Sequence, residues 1–367
     1  MKRFFVTIAT VLIGCFAATA QDEPARAEGY RYVNATELPL FGKVRPETAA
    51  RYERLPDLPD LRKPVRNLGR NSAGLYVRFR SDSPSIRLRW KSLNSHYMNH
   101  MSPTGDRGVD LYILDGKDWR FARSGRPAKN SVTDALVIGN MEPVMREFMV
   151  YLSLYDGVTD LEIGVEEGRV LERPAVESPS TERPVIMYGT SILQGGCCSR
   201  PGMAYTNILS RRLGREVVNL GFSGNALLDL DIARWMASAP DPGVFVLDES
   251  PNASGAQIRE RGEAFFRILR DAHPGVPVVF VDMTPYAYGR FDVKQAELLK
   301  EKSEAQRELF LKLKKAGEKN IFWVDGKKML GDDGEASVDG VHLTDLGMMR
   351  YADLLEPVLR KALKIKR

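Results

Sequence analysis

VIMYGTS, residues 185–191, is the stretch that decides the fold of the second half of this chain. Its first four residues are apolar and run into Gly189, as in a buried strand that passes into a turn. Similar apolar runs, each separated from the next by a segment with helical periodicity, begin at Val217, Val244, Val276 and Ile321. Such alternation indicates a parallel sheet covered on both faces. We therefore predict an α/β domain, a flavodoxin-like doubly wound five-stranded parallel sheet, over residues 185–367.

Residues suited to acyl transfer follow the predicted strands. Ser191 comes after the first strand, a turn with Gly224 after the second, Asn252 after the third, and Asp339 with His342 after the fifth. Because parallel strands end at one edge of a sheet, these residues should converge there. A serine nucleophile, a histidine base, a carboxylate that orients it and oxyanion donors are what hydrolytic acyl transfer needs. Taken singly, Ser191 could instead cap a helix and Asp339 could simply occupy a turn.

The first half of the chain, residues 21–175, has a different pattern. Short runs of alternating apolar and polar residues recur between turn residues, for example at 75–79, 85–90, 109–114, 146–152 and 160–165. This period of two indicates antiparallel strands, and their number and spacing predict a β-sandwich of jelly-roll type. A stretch with Pro179 and Pro184, residues 176–184, is predicted to link the two domains.

The chain begins like a secretory signal peptide, residues 1–20. Lys2 and Arg3 precede an apolar run, and Ala18-Thr19-Ala20 resembles a cleavage site, so we expect a secreted or periplasmic protein. Alternatively, Leu-Ile-Gly-Cys at 12–15 fits a bacterial lipoprotein box that would anchor the protein through Cys15. No later segment has the ~20 apolar residues of a membrane-spanning helix, so we expect no transmembrane segment.

Charge and cysteine content narrow the function classes further. The 53 Lys and Arg residues are interleaved with 48 Asp and Glu residues, a formal charge of +5, which argues against a nucleic-acid partner. The adjacent Cys197 and Cys198 could form a strained vicinal disulfide or remain two small thiols, and we favour the thiols. Since neither cysteine has a zinc-ligand spacing, and His96 and His100 have no third ligand nearby in sequence, we predict no metal and no cofactor.

The motifs resemble those of the SGNH/GDSL hydrolase superfamily. The resemblance is strong at NLGFSG, 219–224, and DGVHLT, 339–344, whereas Gly-Thr-Ser at 189–191 replaces Gly-Asp-Ser and Ser-Pro-Asn at 250–252 replaces Gly-x-Asn-Asp. GVDLY at 108–112 is similar to the Gly-x-Asp-Leu-Tyr motif in the N-terminal β-domain of a bacterial subgroup. The resemblance implies a catalytic triad of Ser191, His342 and Asp339. It also implies an oxyanion hole formed by Ser191, Gly224 and Asn252.

From these observations we expect an exported serine esterase that removes small acyl groups, in particular acetyl groups, from oligo- or polysaccharides. A lipase- or thioesterase-type acylhydrolase and a catalytically silent glycan-binding protein are the alternatives. His96, His100 and Arg200 are candidate substrate contacts. Asp110 and Tyr112, which alternate with apolar neighbours, are expected to act at the domain interface and not in catalysis.

Overall fold

The computed structural model describes residues 23–365. The predicted signal peptide and Cys15 lie outside this range, so export and lipid attachment stay predictions. Within residues 23–365, no helix combines the length and the apolar character that crossing a bilayer requires.

The N-terminal part of the chain forms two antiparallel sheets. Their strands are β1 (Tyr30–Asn34), β2 (Leu40–Phe41), β3 (Tyr76–Ser81), β4 (Ile86–Ser92), β5 (Val109–Asp115), β6 (Asp118–Gly125), β7 (Val132–Ile138), β8 (Arg146–Tyr151), β9 (Val158–Glu166) and β10 (Leu171–Glu172). One sheet has the order β1-β9-β4-β7, and the other has the order β10-β3-β8-β5-β6 with β2 beside β3. Apolar side chains of the two sheets share one buried core, which confirms the predicted sandwich.

The C-terminal part forms a parallel sheet of β11 (Ser180–Gly189), β12 (Arg215–Gly221), β13 (Val244–Asp248), β14 (Val278–Val281) and β15 (Ile321–Val324). The spatial order β12-β11-β13-β14-β15 confirms the predicted flavodoxin-like topology. The helices in the described part of the chain are α1 (Lys63–Gly69), α2 (Pro103–Asp106), α3 (Ser191–Gln194), α4 (Tyr205–Leu213), α5 (Leu230–Ala237), α6 (Gly255–Ala272), α7 (Val293–Lys315) and α8 (Asp345–Leu363).

The apolar runs give this sheet two buried faces because successive side chains of a strand point in opposite directions. In β11, Val185 and Met187 join the core formed with α4 and α8. Ile186 and Tyr188 join the opposite core, formed with α5, α6 and α7. Both faces are therefore covered, and the open carboxyl edge of the sheet is left for chemistry.

The domain boundaries differ from the sequence prediction in two places. Strand β11 begins at Ser180, inside the predicted linker, because Ser180 already pairs with Arg215 of β12. The segment between β2 and β3 was expected to belong to the sandwich, yet Leu55 and Val65 lie in the core of the α/β domain. Residues between β2 and β3 therefore pack across the domain boundary and do not belong to the sandwich alone.

Arg54 fixes that segment in place. Its side chain is 1% exposed and donates hydrogen bonds to backbone carbonyls only. Two of them belong to the end of β12, Asn219 at 3.1 Å and Gly221 at 2.9 Å, and the others to Asn71 at 2.8 Å and Leu68 at 2.6 Å. Burial without a carboxylate partner lowers the pKa of Arg54 to about 9. The guanidinium thus joins the segment to the strand that leads into the Gly224 turn.

We predict that Arg54→Leu lowers the free energy of unfolding by about 3 kcal/mol or more, because several buried carbonyls lose their donor. Denaturant unfolding followed by circular dichroism measures this. The matched control is Arg66→Leu, which replaces an exposed arginine of α1 and should change stability by less than about 0.5 kcal/mol. If both substitutions lowered the free energy of unfolding equally, the hydrogen bonds of Arg54 would not be what stabilises this segment.

Candidate active site

Ser191 lies where β11 ends and α3 begins. The Oγ1 atom of Thr190 accepts a hydrogen bond from the backbone N–H of Ile192 at 3.3 Å, so Thr190 caps the helix. Thr190, and not Ser191, therefore serves as the helix cap. The Ser191 hydroxyl, on a residue that is 6% exposed, is left available for another partner.

That partner is His342. The Ser191 Oγ atom lies 2.9 Å from His342 Nε2, and His342 Nδ1 lies 2.7 Å from Asp339 Oδ2. The other oxygen of Asp339 accepts the backbone N–H groups of Val341 at 2.9 Å and His342 at 2.7 Å. The three predicted residues therefore form one continuous chain of hydrogen bonds, with the geometry of a nucleophile, a base and the carboxylate that orients the base.

The carboxylate of Asp339 stays ionised in this arrangement. Partial burial raises its pKa, but the hydrogen bonds from the side chain and backbone of His342 and from the backbone of Val341 outweigh burial and lower the pKa to about 2. An ionised Asp339 accepts the Nδ1 proton of His342, which leaves the lone pair of Nε2 to face the serine.

The predicted oxyanion donors lie at the ends of the next two strands. Gly224 adopts a positive φ of 66° in the turn after β12, which glycine adopts without strain. Asn252 follows β13, and its Oδ1 atom accepts the backbone N–H of Ala226 at 3.2 Å, which ties the side chain to the Gly224 turn. Among residues 23–365, neither the backbone N–H of Gly224 nor the Nδ2 group of Asn252 donates a hydrogen bond. Both donors are thus free to face an oxyanion.

The sequence analysis predicted His100 as a substrate contact but did not predict that His100 and Cys197 lie together beside His342. The His100 ring, from the loop between β4 and α2, lies 5.6 Å from the His342 ring, centroid to centroid. One ligand atom each of His100, Cys197, Asp339 and His342 lies within 4.8 Å of the others. The sequence offered no signal for this grouping because His100 and Cys197 belong to different domains. His96, in contrast, pairs with Asp106 of the β-domain, Nδ1 to Oδ1, at 3.1 Å.

Both Cys197 and Cys198 are buried free thiols, as favoured from the sequence. Burial, and secondarily the charge of Asp339, raises the pKa of Cys197 to about 12. At neutral pH the thiol is therefore protonated, which argues against Cys197 as a competing nucleophile.

Gly196 leaves room for the imidazole. A Cβ atom on this residue would lie 3.0 Å from His342 Cδ2 and 2.8 Å from the Tyr155 hydroxyl. Tyr155, which comes from the β-domain, donates its hydroxyl to the carbonyl of Ser191 at 3.1 Å. The backbone on one side of the site is thus held by the β-domain, and a side chain at Gly196 would displace either His342 or Tyr155.

We predict that Gly196→Ala lowers kcat for nitrophenyl acetate by about 100-fold, because misplacing a reacting group by about 1 Å costs this much. The unfolding midpoint should change little by comparison. Gly275→Ala is the matched control, since a Cβ atom there meets nothing within 4 Å and should leave kcat unchanged. Full activity in the Gly196 variant would show that His342 does not need this space.

Arg200 does not face the site as a free substrate contact. Its Nη1 atom donates to Asp110 Oδ2 at 2.9 Å and to the Tyr112 hydroxyl at 2.7 Å. The same Asp110 oxygen accepts the backbone N–H of Gly202 at 2.7 Å, and a Cβ atom on Gly202 would collide with the Tyr112 hydroxyl. The Gly-x-Asp-Leu-Tyr motif therefore holds the loop after Ser191, as expected for an interface motif, and the predicted role of Arg200 in substrate contact is not supported.

We predict that Arg200→Leu lowers the free energy of unfolding by about 3–5 kcal/mol, because it leaves the buried carboxylate of Asp110 without its cationic partner. The KM for a small ester should stay within about twofold. Arg234→Leu, at a surface arginine whose ion pair with Asp231 is exposed, should alter stability by less than about 1 kcal/mol. A raised KM with unchanged stability would instead restore the substrate-contact interpretation.

Comparisons with known proteins agree with the two motifs. Residues 182–360 match the GDSL-like lipase/acylhydrolase family, and residues 30–171 match the GxDLY domain, the N-terminus of SGNH-hydrolase-type esterases. The resemblance seen in the sequence is thereby confirmed. No curated protein matches the sequence.

Solved structures of similar fold include a protein described as a GDSL-like lipase from Bacteroides ovatus. It is 34% identical, with a TM-score of 0.88, over 92% of this chain and 99% of that one. A salicylyl-acyltransferase of a tetracycline biosynthetic pathway is 18% identical, with a TM-score of 0.72, over 93% and 99%. A family two carbohydrate esterase from Cellvibrio japonicus is 12% identical, with a TM-score of 0.58, over 91% and 98%. At 18% and 12% identity, the acyltransferase and the carbohydrate esterase are similar to this chain in fold only.

Proposed function

The chain belongs to the GDSL-like lipase/acylhydrolase family, and from this premise we propose that it is an exported serine esterase that hydrolyses small acyl esters, acetyl esters above all, on carbohydrates. The observation that supports this most directly is the unbroken hydrogen-bond chain from Ser191 through His342 to Asp339. A protein that only bound glycans would have no need of such a chain.

In the proposed reaction, Ser191 Oγ attacks the ester carbonyl carbon while His342 Nε2 takes the hydroxyl proton. The negative charge that develops on the carbonyl oxygen is stabilised by the N–H groups of Ser191 and Gly224 and by the amide of Asn252. His342 then returns the proton to the leaving alcohol, and an acyl-Ser191 intermediate remains. A water molecule, deprotonated by His342, hydrolyses that intermediate and releases the acid.

The carbohydrate part of the proposal rests on the loop that brings His100 beside His342. The loop that carries His100 also presents Tyr97, whose side chain is 72% exposed. An exposed aromatic ring with a polar hydroxyl offers both a flat face for a sugar ring and a hydrogen-bonding group. The family two carbohydrate esterase from Cellvibrio japonicus shares the fold over 91% of this chain, which makes carbohydrates the first substrate class to test.

One feature favours the alternative acylhydrolase. A cleft of about 720 Å³ lies between residues 285–291 and 327–337 and is lined by Tyr286, Phe291, Leu299 and Leu330. Its wall includes Ser337, whose hydroxyl donates to the carbonyl of His342 at 3.0 Å, so the cleft adjoins the loop of Asp339 and His342. An apolar cleft of this size could accept a longer acyl chain or an aromatic group.

We predict that turnover of nitrophenyl esters falls from acetate to octanoate, and that the protein releases acetate from acetylated xylan or pectin. Ser191→Ala should lower kcat by about 10⁶-fold, because the serine forms the covalent intermediate. Ser180→Ala, at the other end of the same strand, is the control and should retain full turnover. A preference for octanoate would favour the acylhydrolase, whereas inactivity on every ester combined with tight glycan binding would favour the binding protein.

A further inference from the structure

We propose that the mouth of the active site is also an inhibitory binding site for a thiophilic divalent metal ion such as Zn²⁺, with His100, Cys197 and His342 as ligands. The inhibitory effect rests on the proposed function, whereas the binding of the ion does not. The ion would be held between the two domains, because His100 comes from the β-domain and the other two ligands from the α/β domain.

The separations between the side chains are slightly larger than those of an occupied metal site. One ligand atom of each of these three residues, together with one of Asp339, lies within 4.8 Å of the others. In a tetrahedral zinc site with bonds of about 2.0–2.3 Å, neighbouring ligand atoms lie about 3.4–3.7 Å apart. The cluster therefore has to contract by about 1 Å when the ion binds.

Both imidazoles are already oriented as metal ligands usually are, with one nitrogen held by a second group. His100 Nδ1 lies 2.8 Å from Asn99 Oδ1, which leaves Nε2 for the ion. His342 Nδ1 lies 2.7 Å from Asp339 Oδ2, and this carboxylate–histidine pair likewise leaves the lone pair of Nε2.

Charge and ligand chemistry favour a thiophilic ion over Mg²⁺ or Ca²⁺. Two imidazole nitrogens and one sulfur suit Zn²⁺, whereas Mg²⁺ and Ca²⁺ prefer sites made of oxygen atoms. On binding, Cys197 Sγ releases its proton to solvent and forms the metal–sulfur bond. The resulting thiolate and the carboxylate of Asp339 then balance the two positive charges of the ion.

The ion would stop the proposed reaction directly. His342 Nε2 lies 2.9 Å from Ser191 Oγ and has to accept the proton of that hydroxyl. When the same lone pair binds a metal ion, it is no longer available as a base, so the serine cannot be activated. Removal of the ion by a chelator restores the lone pair, which makes the inhibition reversible.

The test uses Co²⁺ as a spectroscopic probe of the full-length protein and Zn²⁺ as the inhibitor. Co²⁺ should bind with one-to-one stoichiometry and give a thiolate-to-cobalt charge-transfer absorption, and Zn²⁺ should inhibit nitrophenyl acetate hydrolysis until EDTA is added. Cys197→Ser should abolish the charge-transfer band and weaken zinc inhibition by about 10–100-fold or more, since even loss of a group that only hydrogen-bonds to a ligand costs that much. His100→Ala should weaken both effects to a similar degree.

Cys198→Ser is the matched control, because Cys198 is a buried thiol next in sequence that lies outside the ligand cluster. It should keep the charge-transfer band and the zinc inhibition. Absence of the band in the wild type, persistence of it in Cys197→Ser, or activation by Zn²⁺ would each overturn the proposal. Failure of the proposed esterase function would show separately, as a charge-transfer band in a protein that hydrolyses no ester.

Discussion

The buried contact between Asp110 and Arg200 is the one on which the joining of the two domains depends. Asp110 is fully buried in β5, and one of its oxygens accepts both the guanidinium of Arg200 and the backbone N–H of Gly202. A buried carboxylate is stable only when such partners surround it, so the loop after Ser191 cannot leave the β-domain without a large loss of free energy. This loop contains Gly196 and Cys197, and the position of the active-site wall therefore follows from a contact made on the opposite sheet.

A second group of contacts joins the two domains, so that neither domain has a complete set of packing partners without the other. Arg54 connects the segment between β2 and β3 to the end of β12, and apolar residues of that segment complete a core of the α/β domain. A guanidinium can satisfy several carbonyls at once because its donors form a rigid planar fork. The chain therefore crosses between the domains before the sandwich is complete, which is why no clean boundary exists in the first half of the sequence.

Local patterns predicted those parts of the structure that depend on local physics. The apolar runs at Val185 and Val244 predicted buried parallel strands because both faces of such strands are covered, and the topology then placed Ser191 at the carboxyl edge. The packing of Leu55 against the α/β domain was not predictable, since a loop residue that packs far away in sequence leaves no periodic signal. For the same reason the meeting of His100 with Cys197 was missed. Features set by residues close in sequence were thus predicted, whereas contacts between residues distant in sequence were missed.

The contribution of the β-domain to the site explains why these long-range contacts exist. The α/β domain alone carries the hydrogen-bond chain of Ser191, His342 and Asp339, but its surroundings are incomplete without the β-domain. Tyr155 supports the backbone of Ser191, and His100 lies beside the ring of His342. Catalytic groups must be held within a fraction of an ångström, and support from a second rigid domain provides this. The same arrangement places the loop of His100 beside His342, the residue that returns the proton to the leaving alcohol in the proposed reaction, so differences in substrate choice within this architecture should arise in this loop of the β-domain.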